Sequence, residues 1–133
     1  MSADPCRILD AALDDEYRAR AIYRAVIARF GPVRPFVTVV EAEDRLVRRL
    51  QDLYGGLGEH PPADRWAGRV DPPETLDDAW ALAVRTEIDC LCDIERLLLE
   101  AGDGDLRRML TEVRGLSRSV ALPAFKRGAE QVH

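Results

Sequence analysis

The sequence predicts an all-α protein: one domain over residues 1–133, folded as a four-helix bundle. Three observations lead there. Gly and Pro gather at three places, around Gly31-Pro32, from Gly55 to Pro73, and from Gly102 to Gly104. Most of the segments between them repeat apolar residues every three to four positions, the helical period. No segment alternates apolar and polar residues over the length of a strand.

The first helix is expected at about residues 4–30, with an inward stripe of Leu9, Ala12, Leu13, Glu16, Ala19, Tyr23, Ile27 and Phe30. Gly31 suits a left-handed stop after it. The second runs from about 34 to 55, with Pro35 in its first turn and Phe36, Val39, Val40, Glu43, Leu46, Val47, Leu50, Leu53 and Tyr54 inward. The third covers about 75–101. Thr75 and Asp77 are its N-cap candidates, Gly102 its stop, and Leu76, Trp80, Ala83, Val84, Glu87, Cys90, Leu91, Ile94 and Leu98 its stripe. The fourth spans about 105–130 on Leu106, Leu110, Val113, Ser117, Val120 and Ala124, and Pro123 inside it should kink it or loosen one turn.

Short links make helices one and two, and three and four, antiparallel hairpins. The link over residues 56–74 is long. At about 3.3 Å per residue it could stretch some 60 Å, against about 33 Å for a 22-residue helix. It can therefore cross the bundle and let helices two and three run parallel. Trp66 is the residue expected to pin it.

Composition narrows the function classes. With 47% hydrophobic residues the 133-residue chain can bury a core, so it is not a disordered tail. No run approaches 18 apolar residues, so no membrane partner is expected. The net charge of −5 argues against nucleic acid. Met1 to Leu13 carries Asp4 and Asp10 and no basic-then-apolar leader, so a cytoplasmic protein is expected. Cys6, Cys90 and Cys92 are an odd number without zinc spacing. Only two histidines exist, His60 in the long link and the terminal His133.

Three carboxylates break the apolar stripes. At 100° per residue, Glu43 sits at the centre of its stripe, with Val39, Val40, Leu46, Val47 and Leu50 within about 60°. Glu87 and Glu16 hold the same place in their helices. Glu41 falls nearly opposite Glu43, and Asp44 lies on its flank. A lone buried carboxylate costs several kcal/mol unless it is neutralised, paired or bound to a cation. Two readings stay open: a metal or acid/base site between the helices, or glutamates that pair with nearby arginines (Arg20 beside Glu16, Arg45 beside Glu43) or tilt to the rim. Counting along straight rods leaves Glu16 and Glu43 about 9 Å apart in height.

These residues resemble the ferritin-like superfamily of di-iron four-helix bundles, and more closely a group of small bacterial ferritin-like, rubrerythrin-like proteins. The matching stretches are Asp15-Glu16-Tyr17-Arg18-Ala19 through Tyr23, Phe30-Gly31-Pro32-Val33-Arg34-Pro35-Phe36, Val40-Glu41-Ala42-Glu43-Asp44-Arg45-Leu46, Arg65-Trp66-Ala67-Gly68-Arg69 and Ala121-Leu122-Pro123-Ala124-Phe125. The resemblance covers nearly the whole chain. It implies a ferritin-like bundle with residual metal positions at Glu16, Glu43 and Glu87. In the relatives the second motif reads Glu-Ala-Glu-Glu-Arg-His and the last reads His-Leu-Pro-Ala-Phe. Here both histidine positions are hydrocarbon, Leu46 and Ala121.

That departure shapes the functional expectation. Iron in such sites favours imidazole, and an all-oxygen shell suits Mg²⁺, Ca²⁺ or Mn²⁺. Cys90, at i+3 from Glu87, is a candidate replacement donor, against its plainer reading as a small core residue. The expected function is a degenerate di-metal bundle, without a cofactor, that binds an unidentified small molecule or protein partner, with a homodimer as one form. Arg114 and Arg118 are candidate inward cations. The alternative is an iron- or manganese-dependent oxidoreductase with a carboxylate-rich site.

Overall fold

A computed structural model describes residues 4–131, and these are helical apart from the links. Three single helices come first: α1 (Pro5–Phe30), α2 (Phe36–Gly55) and α3 (Leu76–Glu100). The fourth rod has three parts: α4 (Asp105–Gly115), a wider π-type turn (Leu116–Ala121) and α5 (Leu122–Glu130). His133 lies outside the described residues.

The helix ends follow local chemistry, with two corrections. The Asp4 carboxylate accepts from the Cys6 amide at 3.0 Å and caps α1. Thr75 Oγ1 accepts from the Asp78 amide at 3.1 Å and caps α3, as expected. Gly31 takes a positive φ of 88° while its N–H closes on the Ile27 carbonyl at 2.8 Å. Gly102 does not play that part. Ala101 ends α3 in extended backbone, and the positive φ of that link falls on Gly104, at 112°, just ahead of α4. Pro35 precedes α2 and is not in its first turn.

Two apolar clusters order the rods. One joins Leu9 and Leu13 of α1 with Leu50 and Tyr54 of α2, Ile94 and Leu98 of α3, and Leu110 of α4. The other joins Tyr23 and Val26 with Phe36, Val39, Trp80, Ala83, Ala121 and Phe125. The start of α1 thus meets the ends of α2 and α3 and the start of α4. It follows that α1 runs against α2 and α3, and with the fourth rod.

The second cluster sets the register. Phe36 packs on Tyr23 with centroids 5.8 Å apart, on Trp80 at 5.0 Å and on Phe125 at 4.9 Å. The start of α2 therefore lies beside Tyr23 and not beside Phe30. The 31–35 link descends by two helical turns, which the straight-rod count omitted. Gly128 lets the fourth rod close on this layer, because a Cβ there would fall 2.4 Å from the Trp80 ring.

The π-type turn changes which face of the fourth rod is buried. Pro123 has no N–H to give in a regular helix. Just before it, the Leu122 N–H reaches the Ser117 carbonyl, five residues back, where α-helix spacing would be four. The wider turn carries one extra residue. The stripe expected to continue through Val120 and Ala124 continues through Ala121, Phe125 and Gly128, and Val120 is left 51% exposed.

The long link is an ordered strap. Trp66 pins it as expected, giving its indole N–H to Asp14 at 3.0 Å and packing on the first cluster. Arg65 adds two bonds to Asp14, each 2.8 Å, and lies over the Trp66 ring. Asp64 accepts from the amides of Trp66 and Ala67, and Tyr17 donates to the Pro62 carbonyl.

Candidate functional site

The aromatic layer brings the three glutamates to one height. Glu16 lies seven residues before Tyr23, Glu43 seven after Phe36, and Glu87 seven after Trp80. Seven residues are two turns, so each side chain stays on its inward face and drops about 10 Å. On the fourth rod the seventh residue before Phe125 is Arg118. The extra residue of the π-type turn leaves Arg118 exposed and puts the small hydroxyl of Ser117 inside. The result is a polar layer between two apolar clusters, with Glu16 6% exposed, Glu43 2% and Glu87 4%.

Burial of three carboxyls has to be offset inside the layer. Glu87 is held by hydroxyls. Tyr23 donates a short bond to its Oε2, and Ser117 donates to its Oε1 at 2.7 Å. Burial pushes its pKa up, and the two hydroxyl donors pull it back toward the charged form. Glu16 and Glu43 lie against each other between α1 and α2, close enough that each acts on the other's charge. Burial, then the Glu87 charge, raises the Glu16 pKa to about 8. Burial, then Glu16, raises Glu43 well above the usual carboxylate range. Oε1 of Glu43 is buried without a hydrogen-bond partner.

The arginines expected as partners go elsewhere. Arg20 lowers the pKa of both Glu16 and Glu43, but its guanidinium binds Asp44 at 2.9 Å and Asp64 at 3.1 Å. Asp44 also takes Arg24 at 2.9 Å and belongs to the strap side. Arg45 is exposed. Arg114 stays at the rim, 3.6 Å from Glu95. Arg118 points to solvent, so neither it nor Arg114 serves the layer as an inward cation.

Cys90 is buried beside the carboxyls, and burial followed by the Glu16 and Glu87 charges pushes its thiol up, so it stays protonated. That is the behaviour of a core cysteine. Cys92 is exposed on the other side of α3.

Three participants escaped the sequence reading. Tyr23 was placed in the core without a task, yet its hydroxyl is the main partner of Glu87. Ser117 carries the same signal as the glutamates, a polar residue in an apolar stripe, and its hydroxyl donates to Glu87. Asp15 faces Asp93 across α1 and α3, and burial followed by the Asp93 charge raises it to about 7. No intrahelical spacing reveals a pair made across two helices.

The donor set does not fit the two-iron centre implied by the resemblance. Three carboxyls come without an imidazole, both oxygens of Glu87 already accept hydroxyls, and Leu46 and Ala121 fill the other positions with buried hydrocarbon. Among the described residues no three His, Cys, Asp or Glu side chains are arranged to hold a metal ion. What fold and site define together is an all-helical protein with an internal layer of carboxyl and hydroxyl groups. No protein-family model, no curated protein and no solved structure matches the chain.

Proposed function

We propose that the chain is a ferritin-like bundle whose di-metal centre has degenerated, and that it acts as a binding or scaffold protein for a small molecule or protein partner. One observation carries this reading. Hydroxyls already occupy Glu87, with Tyr23 donating to one oxygen and Ser117 to the other, while Leu46 and Ala121 put buried hydrocarbon where the resemblance places histidines. The direction of the helices, with a long strap between α2 and α3, supports the ferritin-like part. The unpaired cysteines Cys6, Cys90 and Cys92 support a cytoplasmic setting. No described helix is long and apolar enough to cross a membrane.

Metal content tests it. Protein purified from cells supplied with iron and manganese is expected to carry well under one metal ion per chain by inductively coupled plasma mass spectrometry. Glu43→Ala should leave that value unchanged. A stoichiometric metal that disappears in Glu43→Ala would overturn the reading. It would favour the alternative, an iron- or manganese-dependent oxidoreductase. One observation favours that alternative: the unpartnered Oε1 of Glu43, an oxygen that a cation would satisfy.

A further inference from the structure

The outer face of α3 carries a second pattern, independent of the buried carboxyls. Ala81, Arg85, Ile88, Cys92, Glu95 and Leu99 are all exposed and follow one another at spacings of four, three, four, three and four. That is heptad spacing on a face turned to solvent, with Ala81, Ile88, Cys92 and Leu99 apolar and Arg85 and Glu95 charged. Leu99 is 87% exposed and Ile88 43%. The other large apolar side chains exposed among the described residues lie elsewhere, Leu57 in the link after α2 and Val120 in the π-type turn. The seam runs from Ala81 to Leu99, about 27 Å of helix.

The order of residues along this seam names its occupant. Set against an antiparallel copy of itself about an axis at the height of residue 90, every layer finds its complement. Ala81 meets the partner's Leu99, small against large. Arg85 meets the partner's Glu95, opposite charges. Ile88 meets the partner's Cys92, apolar on apolar. A two-fold axis repeats each contact, as an isologous interface requires. An unrelated partner would not require a stripe that is complementary to its own reverse. Arg85 makes no ion pair among the described residues, and Glu95 is met only at 3.6 Å by Arg114. One contact opposes pairing: Asp89, on the flank, comes closest to its own copy near the axis.

We propose that a second copy of this chain docks on α3, forming a two-fold dimer through an antiparallel α3 pair with Ile88, Cys92 and Leu99 at its centre and ends and two Arg85–Glu95 bridges between them. Sedimentation velocity and light scattering on the full chain test it. The native chain is expected to be a dimer at micromolar concentration. Leu99→Glu touches no core contact and should weaken association by about thirtyfold or more. Arg85→Glu and Glu95→Arg should each weaken it by about tenfold, and the double variant should recover most of the loss. Asp89→Asn should tighten it. In a Cys6→Ser background, Ile88→Cys should cross-link to the partner's Cys92 when glutathione disulfide is the oxidant, and the parent should not. A native chain that stays monomeric at high micromolar concentration overturns the proposal. So does a dimer indifferent to Leu99→Glu, or a charge-swapped pair without recovery.

Discussion

Asp14 and Glu16 stand two residues apart on α1 and titrate in opposite directions. Asp14 faces the strap, where the Arg65 guanidinium and the Trp66 N–H hold its pKa below the usual carboxylate range. Glu16 faces the interior, where burial and the Glu87 charge raise it to about 8. On the side of the first, Arg65 pairs with Asp14, and Arg20 with Asp44 and Asp64. Around the second lie other acids, a tyrosine and a serine. An acidic residue is thus accommodated in two ways within one turn of helix: by a cation where water screens the pair, and by a proton where it does not.

The largest expected effect is on pH dependence. Glu16 has an ordinary value of 4.5 and a folded value of about 8. Between those values the folded chain binds more protons than the unfolded chain, so stability falls as pH rises. This contribution is complete below about pH 4.5, is lost by about pH 8, and is on the order of 4 kcal/mol. Asp14 works the other way: its contribution is present above its ordinary value of 3.8 and disappears as pH falls through its lower folded value. Urea unfolding from pH 5 to 8 should show the decline, and the Glu16→Gln, Glu43→Gln double variant should reduce it to the part that Asp15, raised to about 7, contributes. A slope unchanged in that variant would mean that neither Glu16 nor Glu43 holds a raised pKa in the folded chain.

Tyr23→Phe deletes the hydroxyl that serves Glu87 and should destabilise the protein by about 2 kcal/mol, the usual scale for a hydrogen bond to a charged group. Chemical denaturation at fixed pH measures it. A loss near zero would mean that Glu87 is protonated and needs no donor. Arg20→Ala acts on the border between the two regions. It leaves Asp44 and Asp64 half-buried without this cation and should cost about 1–2 kcal/mol. It should also steepen the alkaline decline, because Arg20 lowers both Glu16 and Glu43. Arg65→Ala is the smallest change, below about 1 kcal/mol, since its bridge to Asp14 is largely exposed. Its clearer sign should be faster proteolysis within residues 56–75.

Much of the helical layout was legible without coordinates, because it is written in local periodicity. Leu9, Leu13, Leu50, Ile94 and Leu110 all proved buried where the stripes put them. Glu16, Glu43 and Glu87 were identifiable for the same reason, as charges at the centres of apolar faces. Their neighbours were not. Rod counting put Glu16 and Glu43 at different heights because the descent of the 31–35 link depends on Phe36 finding Tyr23, a contact between helices. Val120 and Ala124 were misassigned because a single extra residue before Pro123 rotates everything after it by about 100°.

By itself the sequence determined most of the helical residues and most of the inward faces, and it put three acids at the centres of apolar stripes with no imidazole in the helices. These follow from the 3.6-residue repeat and from the chemistry of each side chain. Only the tertiary structure decided how the charge is handled: Arg20 drawn to Asp44 and Asp64, Arg118 swung to solvent, Tyr23 and Ser117 aimed at Glu87. Those choices rest on the relative heights of separate helices, and the packing of Tyr23, Phe36, Trp80 and Phe125 sets those heights.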